Sequence, residues 1–165
     1  MSLRIGLGHD THRTAAGGPL TLGGIQIECD FHLVGHSDAD VLLHSITDAL
    51  LSAAGLPDIG QLFPDYAAEN KGRDSGEMLR LAWTKVRENG WDLVNLDCVV
   101  LAQQPKLSPH KEQIRQRIAD LLQVAPSQIG LKGKTGESVG EIGRGETLQA
   151  ITIALLEGQK TTQKQ

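Results

Sequence analysis

The sequence predicts an α+β fold: a mixed β-sheet with helices packed on one face, in a single domain over residues 1–158 followed by a polar C-terminal tail at 159–165. Three observations predict it. Strand-like and helix-like segments are intermixed without the strict alternation of a βαβ protein. Leu42, Ile46, Ala49, Leu50 and Ala53 form an apolar stripe at helical spacing, whereas Val99-Val100-Leu101 and Ile151-Thr152-Ile153 are continuous apolar or β-branched runs. A chain of 165 residues is also long enough to bury roughly two-thirds of its unfolded surface around one core. Aromatic residues make up only 3% of the chain, so that core is built from Leu, Ile, Val and Ala.

Leu3 to His12 reads as a strand, and Gly17-Gly18-Pro19 as the turn after it. Leu20 to Ile27 reads as a short hairpin with Gly23-Gly24 at its bend. Ser37 or Asp38 caps a helix that runs to Ala54, where Gly55 stops it. Leu56 to Asn70, rich in Pro, Asp and Gly, is expected to be loop. A second helix covers Ser75 to Glu88 and ends at Asn89-Gly90, and Leu93 to Gln103 is a strand. Ser108 and Pro109 supply the N-cap and first-turn proline of a third helix reaching Leu122. Ile129 to Lys134 is a strand. Thr147 to Glu157 suits a strand or a helix, and its β-branched run favours strand.

Composition narrows the function classes. Sixteen basic against twenty acidic side chains leave a net charge of −4, which gives no long-range attraction for nucleic acid or an anionic membrane. A phosphorylated ligand then has to be held by local devices: metal ions, backbone amides and a few placed cations. The two cysteines, Cys29 and Cys98, form no metal-binding or redox pair in sequence and suit a reducing compartment. The opening residues lack the apolar core of a signal peptide, and no apolar run approaches the ~20 residues of a membrane span. A cytoplasmic enzyme or binding protein is expected.

The sharpest local signal is Asp10-Thr11-His12 followed by His44. Residues two apart on a strand share a face, so Asp10 and His12 can aim a carboxylate and an imidazole at one point. A helix packed on that strand would bring His44 as a third donor. Three mixed nitrogen and oxygen ligands, without cysteine, leave a fourth position open, the pattern of a catalytic rather than a structural zinc. Asp40 and Asp48 flank His44 at i−4 and i+4, and one of them is expected to accept a hydrogen bond from its other ring nitrogen. The bland alternative is a strand with an ordinary Asp-x-His and a core or solvated helical histidine. His9, next to Asp10, points to the opposite face, and His32 and His110 are expected in solvent.

Read together, the motifs become specific. Arg4-Ile5-Gly6-x-Gly8-x-Asp10-x-His12 is followed by His36-Ser37-Asp38-x-Asp40-Val41-x-x-His44, by Thr47-Asp48-Ala49-Leu50-Leu51 and by Asp58-Ile59-Gly60-x-x-Phe63-Pro64-Asp65. Ala102-Gln103-x-Pro105-Lys106-x-x-Pro109-His110 and Gly143-Arg144-Gly145-Glu146 extend the series. In this order they resemble the 2-C-methyl-D-erythritol 2,4-cyclodiphosphate synthase family, from Arg4 to Leu156. The resemblance implies a phosphorus–oxygen lyase of non-mevalonate isoprenoid biosynthesis, working as a homotrimer with active sites between adjacent chains. Its substrate is 4-diphosphocytidyl-2-C-methyl-D-erythritol 2-phosphate, and its products are the cyclic diphosphate and CMP.

The same resemblance implies one zinc ion per site on Asp10, His12 and His44. A magnesium or manganese ion would bridge the substrate diphosphate with Glu137 as its protein ligand; on sequence alone Glu137 is an ordinary surface glutamate. His36 and Thr135 match groups that donate to phosphate oxygens, beside Ser37. Asp58, Ile59 and Gly60 match positions that meet the ribose and nucleotide backbone. Phe63 and Asp65 match the wall around the methylerythritol phosphate, although Asp65 also suits a plain Pro-Asp turn. Ala102, Pro105, Lys106, Leu107 and Ser108 match the cytosine pocket. The chain departs from the pattern at Lys134 and Gly136, where threonines are usual, and Lys134 either contacts phosphate or turns outward. Glu141 replaces a commonly aromatic residue beside Arg144, and a Glu141–Arg144 pair is expected. Two rival classes remain: a two-metal phosphodiesterase, which needs more His and Asp ligands, and a zinc-stabilised nucleotide-binding trimer without turnover.

Overall fold

The first strand, β1 (Leu3–Ala16), runs past the expected end at His12 because its last residues find a partner. β4 (Phe31–Val34) pairs antiparallel with it, Arg13 opposite Val34 and Ala16 opposite Phe31. His32 therefore lies on an edge strand rather than in a loop, exposed as expected. In between, β2 (Leu20–Leu22) and β3 (Ile25–Ile27) form the expected hairpin around Gly23-Gly24. These assignments come from a computed structural model that describes residues 2–159. The remainder of the predicted tail, 160–165, lies outside the described residues, while Gln159 donates its backbone N–H to the Gly90 carbonyl at 2.8 Å.

β5 (Trp91–Leu101), β6 (Ile129–Lys134) and β7 (Thr147–Gly158) complete a five-stranded sheet in the order β4-β1-β7-β5-β6. Only β5 and β6 run parallel, so the sheet is mixed. The ambiguous segment from Thr147 is a strand, and its burial shows why: Leu148, Ala150, Thr152, Ala154 and Leu156 are all buried, at a period of two.

One face of this sheet carries the helices. α1 (Val41–Ala54) lies on β1 and β7, and the stripe Leu42, Ile46, Ala49, Leu50 and Ala53 is 0% exposed throughout. Gly55 stops it in the left-handed region at φ 72°. The expected loop at 56–70 contains a short helix, α2 (Ile59–Leu62), capped by the Asp58 carboxylate, and a 3₁₀ turn at Ala68–Asn70. α3 (Ser75–Glu88) packs against α1, and α4 (Lys111–Leu122) against β6, with Pro109 in a 3₁₀ turn leading into α4 and His110 half-buried there. A single turn, α5 (Gly140–Gly143), precedes β7.

The cap of α1 differs from expectation. Asp40, not Ser37 or Asp38, accepts from the Leu43 N–H at 3.0 Å. It is fully buried and also accepts from the Gly23 and Gly24 N–H groups at 2.9 and 2.7 Å, so one carboxylate ties the hairpin bend to the helix start. The opposite sheet face is open: Leu3, Ile5, Leu7 and Ile153 are 55%, 72%, 61% and 49% exposed. No helix among the described residues is long and apolar enough to cross a membrane.

Candidate metal centre

The site begins with two glycines that carry no chemistry. Gly6 and Gly8 share the face of β1 that bears Asp10 and His12, and α1 presses directly on them. A Cβ at Gly8 would lie 1.9 Å from the Ser45 carbonyl oxygen, and one at Gly6 would lie 2.0 Å from that of Ala49. With backbone on backbone, the helix is close enough for His44 to reach past Gly8 to the next side chain on the strand, Asp10. Gly35 performs the same service at the other edge, where a Cβ would lie 2.9 Å from Cε1 of His12.

Asp10 Oδ2 lies 3.0 Å from His12 Nε2 and 2.9 Å from His44 Nδ1, and the two ring nitrogens are 3.1 Å apart. The far nitrogens are engaged elsewhere. His12 Nδ1 donates to the Val34 carbonyl at 2.9 Å, and His44 Nε2 lies 2.8 Å from Ser75 Oγ and 3.1 Å from Ser37 Oγ. When both rings are neutral, these outer bonds turn two imidazole lone pairs towards one carboxylate oxygen. Three acceptors that face one another without a hydrogen between them require a cation. Ligand bonds of ~2.0–2.1 Å in tetrahedral array put donor atoms about 3.3 Å apart, so the triad accepts a divalent ion with a few tenths of an ångström of widening. Among the described residues this is the one His/Cys/Asp/Glu group with metal-ligand spacing.

The electrostatics agree. Burial alone would raise the Asp10 carboxyl, but the two imidazoles facing it, which donate to it and bring positive charge when protonated, hold it far below the usual carboxylate range. Burial would likewise depress His12; the bond and charge of Asp10 outweigh it and raise the imidazole above its ordinary 6.5. In metal-free protein, protonated His12 is thus a stabilising partner at pH values below 6.5, and that stability is lost as pH rises through its elevated folded value. Thermal melts of metal-free protein between pH 6 and 9 are expected to show a falling Tm that flattens in His12→Gln. A divalent ion competes with the same protons, so its uptake is expected to strengthen over that range. A flat wild-type profile would argue against the pairing.

Other expected residues fall into two clefts. The first contains the triad with His36, Ser37, Ile59, Gly60, Phe63 and Asp65, together with Asn70 and Met78, which the sequence did not single out. Arg73 stacks over the Phe63 ring at 5.0 Å and braces it. Asp58 sits beside this cleft as the cap of α2, its carboxylate accepting from Gln61 N at 2.9 Å. The second cleft contains Ala102, Pro105, Lys106, Leu107, Ser108, Lys134 and Thr135. Glu137 and Arg144 line neither. Glu137 lies on a turn in the left-handed region, φ 51°, and accepts from Thr135 Oγ1 at 2.9 Å. His9 is exposed on the face away from the triad, as expected.

Two expected contacts are corrected. Neither Asp40 nor Asp48 reaches His44: Asp40 is turned inward to the hairpin amides, and Asp48 accepts from Ile59 N at 2.8 Å. Ser75 takes that role, an invisible one in sequence because it looks like the ordinary first residue of a helix capped by Asp74. Arg144 forms its bidentate pair with Glu146, at 2.8 and 3.0 Å, rather than with Glu141. Glu141 accepts instead from Gln149 at 3.4 Å.

Comparison with known proteins fits this geometry. The YgbB family model matches residues 3–157. The 2-C-methyl-D-erythritol 2,4-cyclodiphosphate synthase of Rhodopirellula baltica is 50% identical over 156 residues, covering 94% of each chain. The solved bifunctional IspDF of Campylobacter jejuni superposes with a TM-score of 0.92 at 42% identity, over 95% of this chain but only 42% of that one. The IspF of Plasmodium falciparum, solved as a CDP complex, superposes with a TM-score of 0.85 at 36% identity, over 96% and 97% of the two chains. With half of its residues shared across nearly its whole length and its fold shared as well, this chain belongs to the YgbB family of 2-C-methyl-D-erythritol 2,4-cyclodiphosphate synthases.

Proposed function

We propose that the Asp10–His12–His44 centre carries out the ring closure from which the relatives take their name. 4-Diphosphocytidyl-2-C-methyl-D-erythritol 2-phosphate is converted to 2-C-methyl-D-erythritol 2,4-cyclodiphosphate. The 2-phosphate oxygen attacks the β-phosphorus, the bond from that phosphorus to the bridging oxygen breaks, and CMP leaves with the electron pair. The nucleophile is an anion already present on the substrate, so no serine, cysteine or general base is needed. What the chain has to supply is positioning and charge neutralisation. The single observation that carries this reading is the inward-facing triad of acceptors at the floor of the first cleft.

Zinc on Asp10, His12 and His44, with magnesium or manganese on Glu137 and the diphosphate, would supply Lewis-acid polarisation and relief of charge on the leaving group. The rest falls to side chains. His36, exposed at the mouth of the first cleft, and Ser37 donate to the attacked phosphate. Phe63 and Asp65 wall the methylerythritol end, and Asp58, Ile59 and Gly60 offer a carboxylate and backbone to the ribose. Ala102, Pro105, Leu107 and Ser108 take the cytosine, with Lys106 and Lys134 bringing positive charge to the nucleotide phosphate. Thr135 donates its one hydroxyl proton to Glu137 in the free protein, and turns it to the phosphate when Glu137 is taken up by the metal. Arg144, outside both clefts and paired with Glu146, is the remaining substrate-binding group.

One chain divides these groups between two clefts, which suits a homotrimer whose sites form where neighbouring chains meet. The exposed apolar row Leu3, Ile5, Leu7 and Ile153 is a surface that a second copy would cover. Cys29 and Cys98 are unpaired, in keeping with a cytoplasmic setting. Incubation with substrate, zinc and magnesium is expected to yield CMP and a cyclic diphosphate by ³¹P NMR, and a trimer by analytical ultracentrifugation. Inorganic phosphate or an open-chain product would point to the phosphodiesterase class instead, and binding without turnover to a nucleotide-binding protein.

A further inference from the structure

We propose that Ser75 and Asp38 are positioning residues for the metal: they hold His44 in the tautomer whose Nδ1 lone pair faces Asp10 and His12. The inference rests on the metal-centre reading and adds to it a determinant outside the three ligands.

Two carboxylates compete for the His44 ring proton. Asp10 Oδ2 stands 2.9 Å from Nδ1 and, left alone with the ring, would draw the proton to that nitrogen. A proton there blocks coordination by His44. On the other side Nε2 is 2.8 Å from Ser75 Oγ, and Ser75 is completely buried. The Ser75 hydroxyl has one proton, and its short bond to Asp38 Oδ1 consumes it. Asp38 is the natural acceptor, since it also receives the Ser75 N–H at 3.0 Å on Oδ2 and the Asp40 N–H at 3.2 Å on Oδ1. With its proton directed to a carboxylate, Ser75 Oγ can only accept from the imidazole. The ring proton is thus held on Nε2, and the Nδ1 lone pair is free for a cation. Ser37 Oγ, which accepts from Ala39 N at 3.1 Å, offers a second and longer acceptor to the same Nε2.

The arrangement is built across the fold. Asp38 belongs to the segment entering α1, and Ser75 opens α3, 37 residues away. Two backbone bonds close the seam between them: Gly72 N to the His36 carbonyl at 2.8 Å and Asp38 N to the Arg73 carbonyl at 3.1 Å. Ala39 is held in the left-handed region at φ 59°, which turns the chain sharply between Asp38 and the cap Asp40. The seam that fixes the tautomer therefore also fixes His36 and Ser37 at the mouth of the cleft.

The test has two arms. In wild-type protein freed of metal, the ¹⁵N shifts of the His44 ring, recorded where the ring is neutral, are expected to show the Nε2–H tautomer. Zinc affinity is then measured by chelator competition for wild type, Ser75→Ala and Ser75→Thr. Ser75→Ala is expected to bind zinc ~10–100-fold more weakly and to move towards the Nδ1–H tautomer, and Ser75→Thr, which keeps the hydroxyl, to stay within about threefold of wild type. A role in helix packing alone would lower the melting temperature without changing the tautomer. An Nδ1–H tautomer in wild type, or zinc binding by Ser75→Ala within about threefold of wild type, would overturn the proposal. Should a variant not fold, the wild-type tautomer decides. If wild type takes up no zinc at all, the metal-centre reading fails, an outcome separate from either result on the tautomer.

Discussion

Replacement of His44 by alanine is expected to lower turnover about a thousandfold or more while leaving the fold, and with it the proposed trimer, intact. The reasons lie in where His44 stands. Its side chain is 12% exposed at the floor of a cleft, on the one face of α1 that is not committed to the apolar core. Truncation leaves the packing of Leu42, Ile46 and Leu50 untouched; of the hydroxyls that lose a partner, Ser37 lines the cleft and the buried Ser75 keeps its bond to Asp38. The stability cost is therefore that of an ordinary mutation, ~1 kcal/mol. The chemical cost is much larger, because two remaining ligands hold a divalent ion poorly.

The signature of the triad is non-additivity. Asp10→Ala should be as damaging as His44→Ala, and the double variant hardly worse than either, because residues that act as one unit are lost together. The loss should fall mainly on kcat, since in the proposed arrangement the cytidine end of the substrate is held by other residues. Steady-state assays by CMP release, with a melting curve and sedimentation for each variant, check all of this. A His44→Ala protein within tenfold of wild-type kcat would remove the metal from the reaction.

Much of this centre was legible in the sequence because its geometry is local. The period of a strand places Asp10 and His12 on one face, and the α1 stripe dictates which side of the helix turns to the sheet. What escaped depends on contacts between distant segments. Asp38, Asp40 and Ser37 are all competent caps, and nothing local says that Asp38 is committed to Ser75 and Asp40 to the Gly23-Gly24 amides. His44 has a carboxylate four residues away on each side, yet its ring meets the start of α3. The last four residues of β1, Arg13 to Ala16, are not legible locally because their pairing is decided by β4; the half-buried Phe31 and buried Leu33, two apart, are the available clue. The Glu141–Arg144 pair is expected because a carboxylate replaces an aromatic residue beside Arg144, but α5 is a single turn and the guanidinium folds forward onto Glu146.

The second large effect is expected from a residue with no side chain. Gly8→Ala should destabilise the protein by ~4 kcal/mol or more and weaken metal uptake at the same time. The added methyl carbon would lie 1.9 Å from the Ser45 carbonyl oxygen and 2.7 Å from the Ala49 amide nitrogen. Both are backbone atoms of a regular helix, so no rotamer change relieves the clash. Contact distances of ~3.5 Å are restored only if α1 backs away from β1 by more than an ångström. The helix cannot make that move freely, because its stripe is fully buried and the Asp40 carboxylate ties its start to the hairpin. For a domain of this size the cost corresponds to a fall in Tm of roughly 8–16 °C.

Any retreat of α1 also withdraws His44 Nδ1 from its 2.9 Å approach to Asp10, so loss of zinc affinity and loss of stability should appear together. Gly6→Ala separates the two. Its clash, 2.0 Å from the Ala49 carbonyl oxygen and 2.5 Å from Ala53 N, falls nearer the C-terminal end of α1 and further from His44. It should cost similar stability but less metal affinity, since the helix can pivot about its anchored start. A Gly8→Ala protein that melts like wild type would show that helix and strand are less closely apposed than the two glycines imply, and the three acceptors would then lack the contact that brings them together.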